Sequence, residues 1–333
     1  MNKTETYPSI SIAISTKDRR EDLMNVLNSI KEVDYPKDKL EIIVVEETHN
    51  AQEIEGVKYV SIPVENRGFG YTRNVAVKNA SNEIIVFTDD DCIVTEDWLK
   101  EIVSPLIKDE GVAGVAGGVL VKNCKTIGYC ENVIGFPNGG LIRIHNSKGN
   151  IVETKELSTC NCAYRRKVFE KLGLFRIDTK YSGEDYEFAK RVNRHYRCVF
   201  YPDAVVYHKP RESLIKIFKW FVRRGISEWF IGKMKIRSIW KHILYYLQSS
   251  LLLKLMVIIL ILNLFNWDKF WVYFILFALF YLLLLLRYRF QLHYHLGWKA
   301  FFLTPVVKWV MDLGMDFGML IGGFVLWKSY QQK

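Results

Sequence analysis

Three consecutive carboxylates, Asp89-Asp90-Asp91, close the apolar and β-branched run Ile84-Ile85-Val86-Phe87-Thr88. Adjacent acids repel one another, so a positive group belongs among them. A divalent cation carrying a diphosphate meets that need, because hard cations take oxygen ligands and substrate phosphates complete the shell. The other reading is a solvated acidic turn that caps a helix near Thr95. A second apolar run, Leu40 to Val45, also ends in acids, Glu46 and Glu47. Farther on, Glu184 and Asp185 follow Gly183 at the expected start of a helix, where acids either suit the dipole or do chemistry. Ser182 and Asp185 have capping-box-like spacing, although Asp is shorter than the preferred Glu. His208 closes the last strand-like run, Cys198 to Tyr207; a lone His is commonly a satisfied surface or core residue.

The elements that must position these groups alternate in type. Ser9–Thr16 suits a central strand. Leu23, Val26, Leu27 and Ile30 recur at helical spacing, which predicts a helix with one face on a sheet. Strands are expected at Leu40–Val45, Val57–Ile62 and Ile84–Thr88. Between the last two, Asn66-Arg67-Gly68-Phe69-Gly70 leads into a helix through Ala80 that carries Arg73 and Asn74. Glycines ahead of a helix let backbone amides approach phosphate, or simply make the turn. A helix is expected over Thr95–Ile107 and a strand over Val112–Val121, followed by loop-rich sequence from Cys124 to Thr154 holding part of an acceptor site. Ser158–Tyr164 then reads as a strand, and Arg165–Leu172 as a short helix capped by Gly173. This order predicts an α/β domain, a mostly parallel sheet covered by helices, with ligands bound beyond the carboxyl ends of the strands.

Composition divides the chain. It has 333 residues, half of them hydrophobic, and a formal net charge of +10. Residues 1–210 read as the α/β domain. Residues 211–242 are basic and aromatic, with Lys216, Lys219, Arg223, Arg224, Lys233 and Lys235 interleaved with Trp220, Phe221, Trp229 and Trp240. Such a stretch beside membrane spans reads as interfacial helices against anionic headgroups. Nucleic-acid binding is the competing reading of those charges, and the adjacent apolar segments argue against it. Residues 243–333 read as a membrane domain with about three spans, at 243–265, 270–286 and 305–327. Lys308, Asp312 and Asp316 interrupt the third at i, i+4 and i+8. Either they mark function within the membrane, or the helix starts at the interface with its polar end wet. The basic Arg287–Lys299 loop is expected on the cytoplasmic side, with the first domain. Met1–Pro8 lacks the apolar core of a secretory signal, so the six cysteines are expected reduced and buried.

Taken together, these residues resemble family 2 glycosyltransferases of the GT-A fold over roughly the first two-thirds of the chain. The resemblance rests on Thr16-Lys17-Asp18-Arg19, Val44-Val45-Glu46-Glu47, Asn66-Arg67-Gly68, Arg73-Asn74, Asp89-Asp90-Asp91, Asn161-Cys162-Ala163-Tyr164-Arg165-Arg166 through Leu172-Gly173, and Gly183-Glu184-Asp185. It departs from the family pattern at Glu46, where Asp is usual, and at Asp18, where Asn is usual. The resemblance implies a nucleoside-diphosphate sugar donor and Mg²⁺ or Mn²⁺ as cofactor. By it, Glu46 contacts the base and ribose, Arg73 lies near the diphosphate, Asp89 and Asp90 belong to the donor contacts, and Asp91 holds the metal, with His208 as a further metal contact. Asp185 is implied as the general base and Glu184 as a residue orienting the acceptor. A base suits a hydroxyl acceptor, where proton removal helps, better than a lipid phosphate, which is already an anion. The expected activity is inverting sugar transfer to a hydroxyl of a lipid-linked glycan at the cytoplasmic membrane face. A polyprenyl-phosphate glycosyl synthase and a catalytically silent nucleotide-sugar sensor or membrane scaffold are the alternatives.

Overall fold

The computed structural model describes residues 7–178, 182–232, 254, 259–261 and 270–331. It divides into two compact units. One comprises the described residues up to Lys122 together with Gly135–Lys209; the other comprises Asn123–Ile134 and the described residues from Pro210 onward.

The first unit is built on one nine-stranded sheet. Its strands are β1 (Ile10–Thr16), β2 (Leu40–Glu47), β3 (Lys58–Ile62), β4 (Ile84–Asp89), β5 (Cys92–Val94), β6 (Val112–Leu120), β7 (Val152–Glu153), β8 (Asn161–Arg165) and β9 (Arg197–His208). The spatial order is β3-β2-β1-β4-β8-β6-β9-β5, with β7 on β9. The parallel arrangement expected from sequence holds across β3-β2-β1-β4. Beyond β4 the sheet is mixed: β8 runs antiparallel to both neighbours, and β6 and β9 are parallel to each other.

Helices cover both faces, which is why the central strands read as nearly unbroken apolar runs. On one face Ile10, Ile12 and Ile14 pack with Leu23, Val26 and Leu27 of α1 (Arg20–Lys31) and Trp98, Leu99 and Ile102 of α3 (Trp98–Lys108). On the other, Ala13, Ile43 and Phe87 pack with Ala76 of α2 (Phe69–Asn79), Phe169 of α6 (Arg166–Leu172) and Phe188 of α7 (Glu184–Val192). Two expectations change here. The segment 124–154 is not mainly loop: it contains α4 (Thr126–Ile134) and α5 (Gly140–Ser147), each too short to set up a clear helical period, with glycines at 135 and 139 between them. The capping box at Ser182 is absent. Gly183 is the N-cap residue, with φ of 101°, and makes no side-chain cap, while the Asp185 carboxylate bonds elsewhere.

Asn161 locks the region behind the acidic triad. It is fully buried, accepts a hydrogen bond from Trp98 Nε1 at 2.9 Å, and donates to the carbonyls of Gly118 and Ala204, both at 2.8 Å. Leucine at this position strands one donor and two acceptors in a dry core. Asn161→Leu is expected to destabilise the chain by about 3 kcal/mol, lowering the melting temperature on the order of 10 °C, whereas Trp98→Phe, which strands one acceptor, costs less than half of that. Thermal unfolding of the purified chain measures both, and equal losses would refute the networked role of Asn161.

The second unit contains α4, α8 (Leu214–Gly232), a helix over Phe270–Tyr288 and a 34-residue helix over Trp298–Gln331. α8 and the long helix meet backbone to backbone. A Cβ on Gly318 would lie 2.0 Å from the Val222 carbonyl oxygen, and one on Gly225 would lie 2.3 Å from that of Met315. Only glycine permits that approach. Glu131 of α4 is buried and binds Arg211 through both the guanidinium, at 2.7 Å, and the backbone N–H, at 3.1 Å. Among the described residues, Trp271–Tyr294 is the one helical stretch long and apolar enough to cross a membrane. The expected span at 243–265 lies almost wholly outside the described residues. The expected span at 305–327 lies inside the longer helix that starts at Trp298. Its charges are paired: Lys308 Nζ with Asp312 at 2.5 Å, and Asp316 with Lys254 at 2.9 Å.

Candidate active site

The carboxyl ends of β1, β2 and β4 lie side by side. Thr16 stands opposite Glu46, and Ser15 opposite Asp89. The antiparallel pairing of β5 with β9 sets Cys92 opposite His208, which brings the imidazole to the neighbouring Asp91. His208 Nε2 lies 3.3 Å from Asp91 Oδ1, and the Lys209 backbone N–H donates to the Asp91 carbonyl at 2.9 Å. Asp89, Asp91 and His208 each offer a ligand atom, all within 4.8 Å of one another. Asp91 Oδ1 is buried and accepts no hydrogen bond. Two carboxylates and an imidazole suit Mn²⁺ or Mg²⁺, with room in the shell for phosphate oxygens.

The three aspartates have different surroundings. Asp89 accepts from Arg73 Nη2 at 3.2 Å, and burial, opposed by the pull of Arg73, raises its pKa above the ordinary carboxylate value. Asp90 is fully buried; it accepts from Thr16 Oγ1 at 2.6 Å and pairs with Arg19 at 2.7 Å. Burial pushes its pKa up to about 7, with Arg19 pulling the other way. Asp91 pairs through Oδ2 with Arg19 Nη1 at 2.7 Å. Asp90, grouped with the donor contacts in the sequence reading, thus turns inward and holds Arg19.

Arg73 is buried on α2 between two acids, bonding Asp89 and the Glu184 carboxylate. Burial alone would lower its pKa; Glu184 and Asp89 more than offset that and raise it. Glu184 is only 2% exposed and points into this pair, so it links β4 to the first turn of α7. Asp185, next in sequence, is partly exposed. It accepts from Ser158 Oγ at 3.0 Å and from the Tyr186 backbone N–H at 2.7 Å. Glu46 accepts from the Tyr59 hydroxyl at 2.5 Å and borders a pocket lined by Asp18, Arg20, Thr48, Asn50 and Gln52.

The structure therefore brings Arg73, Asp89, Asp91, Glu184 and His208 into one connected group. Glu46 stands two strands away at the end of β2. Sequence reasoning missed Arg19, Ser158 and Tyr59. Arg19 stood in the Thr16-Lys17-Asp18-Arg19 loop without a role of its own; its contacts depend on β1 lying next to β4.

A mixed, helix-covered sheet with a carboxylate-rich site at its strand ends is the arrangement expected of a glycosyltransferase. The model of glycosyl transferase family 2 matches residues 11–173, from β1 through α6, so the chain carries a family 2 glycosyltransferase domain. Glycosyltransferase AglE of Haloferax volcanii is 27% identical over 269 residues, covering 74% of this chain and 83% of that protein. O-antigen chain rhamnosyltransferase RfbN of Salmonella typhimurium is 28% identical over 220 residues, 62% of this chain and 69% of that one. Among solved structures, mannosyltransferase PcManGT from Pyrobaculum calidifontis, in complex with GDP-Man and Mn²⁺, matches with 23% identity and a TM-score of 0.49 over 67% of this chain and 63% of its own. That likeness is too distant to bear on function.

Proposed function

We propose that the chain transfers a sugar, with inversion, from a nucleoside-diphosphate sugar to a hydroxyl of a lipid-linked glycan at the cytoplasmic membrane face. The observation that carries this reading is the convergence of Asp89, Asp91 and His208 beside the Arg73–Glu184 pair that leads to Asp185. Asp91, Asp89 and His208 would hold Mn²⁺ or Mg²⁺, which when bound would supply charge stabilisation for the departing diphosphate. Glu46 and its pocket take the nucleoside. Arg73 is a positioning residue: it fixes Asp89 on one side and the start of α7 on the other. Asp185 accepts the proton of the acceptor hydroxyl while that oxygen bonds to the anomeric carbon, and the bond from that carbon to the diphosphate oxygen breaks. Ser158 and the Tyr186 N–H hold the Asp185 carboxylate in place.

The membrane part of the proposal rests on the apolar Trp271–Tyr294 stretch and the basic residues at its end, Arg287, Arg289 and Lys299, all exposed. Basic residues flanking a span favour the cytoplasmic side. The name of one relative, O-antigen chain rhamnosyltransferase, refers to a glycan chain, and a glycan acceptor for this chain accords with it.

The test is nucleoside diphosphate release by the purified full chain in detergent, from UDP-, GDP- and dTDP-sugars with Mn²⁺. Release that needs a membrane lipid extract containing glycosylated lipid, and stops on chelation, is the expected result. Release stimulated by polyprenyl phosphate alone would replace it with lipid-phosphate transfer, and no release from any donor would favour a nucleotide-sugar sensor.

A further inference from the structure

Arg19 is the cation already resident in the acidic triad. Its guanidinium forks between two carboxylates, Nη2 to Asp90 Oδ1 and Nη1 to Asp91 Oδ2, both at 2.7 Å. The anchor of the fork is the interior one. Asp90 is fully buried and fixed from behind by the Thr16 hydroxyl at 2.6 Å. Asp91 shows its two oxygens to different partners: Oδ2 faces Arg19, and Oδ1 faces His208 Nε2 at 3.3 Å. The Arg19 side chain is nonetheless 42% exposed, against 0% and 16% for the two acids. Both terminal nitrogens thus rest on carboxylates, while the side chain as a whole stays partly open to solvent.

We propose that Arg19 is a donor-binding residue that grips the diphosphate of the sugar nucleotide from beside the metal, and that it does so at a cost to metal affinity. This rests on the metal and donor reading above and assigns a role that reading leaves open. A metal bound at the Oδ1 side of Asp91 leaves Arg19 on the Oδ2 side of the same carboxylate. Two cations then share one acid, and each weakens the other's hold on it. A diphosphate resolves the conflict, because its oxygens accept from a guanidinium fork and also complete a metal shell. Asp90 is then the residue that keeps Arg19 in place, which accounts for a buried carboxylate in the middle of the triad. The arrangement makes the metal bind weakly alone and firmly with the donor.

The two effects have opposite signs, and that makes the inference testable. In the full chain in detergent, Mn²⁺ binding is followed by the electron paramagnetic resonance of free Mn²⁺, and UDP, GDP and dTDP binding by calorimetry at saturating Mn²⁺. Arg19→Met is expected to bind Mn²⁺ alone about threefold tighter or more, and to bind the preferred nucleoside diphosphate about tenfold weaker or more. Arg19→Lys keeps the charge without the fork, so its Mn²⁺ affinity stays within about twofold of the parent while nucleotide binding still weakens. If Mn²⁺ binding in Arg19→Met is unchanged or weaker, or nucleotide binding is unchanged, the inference is overturned. If the parent chain binds no Mn²⁺ at all, the metal reading itself fails, which is a distinct result.

Discussion

Replacing Asp91 by asparagine is expected to abolish metal-dependent donor binding and to lower sugar transfer by about a thousandfold. The magnitude follows from what the residue is asked to do. Asp91 Oδ1 is a buried carboxylate oxygen that accepts no hydrogen bond and faces His208 and Asp89. An amide in its place removes a charge from the ligand set at the point where phosphate charge must be balanced. Folding should be nearly unaffected, because the backbone contact from Lys209 to the Asp91 carbonyl does not involve the side chain. Donor binding with and without chelator, measured on the parent and on Asp91→Asn, decides the matter. Equal binding in all four conditions would remove Asp91 from the site.

Asp185→Asn is expected to separate binding from chemistry. A general base contributes about 10² to 10⁴ in rate, so transfer should fall by about a thousandfold while donor binding stays within about twofold. Asparagine has nearly the shape of aspartate. Its carbonyl oxygen can still accept from the Tyr186 N–H, and Ser158, whose hydroxyl both donates and accepts, can turn to receive the amide N–H. The helix start is therefore kept and only the proton acceptor is lost. Near-normal transfer by this variant would exclude Asp185 as the base, and loss of donor binding would recast it as a donor contact.

These two variants probe residues that sequence and structure reach by different routes. Asp91 was readable because an apolar strand delivering acids to its carboxyl end is a local pattern. So were β1, β2, β4 and α1, whose covered faces impose long apolar runs or a clean helical period. His208 was not locally readable. Only the pairing of β5 with β9 sets it beside Asp91, although more than a hundred residues separate the two in sequence. Arg73 was named from sequence as a candidate but not as a bridge, because Glu184 lies 111 positions away. The helices α4 and α5 escaped notice for a different reason. Each is only two or three turns long, and glycines blur the pattern between them.

The excursion through Asn123–Ile134 bears on how this protein can be handled. A single cut after residue 210 looks, from sequence, like the way to obtain a soluble catalytic fragment. The chain does not divide there cleanly, because α4 precedes that cut yet packs with elements that follow it. Glu131 would lose its Arg211 partner, and the Cys130 thiol would lose the Ala300 carbonyl. A fragment ending at 210 would carry α4 without the long helix it packs against, and its apolar face would lose that cover.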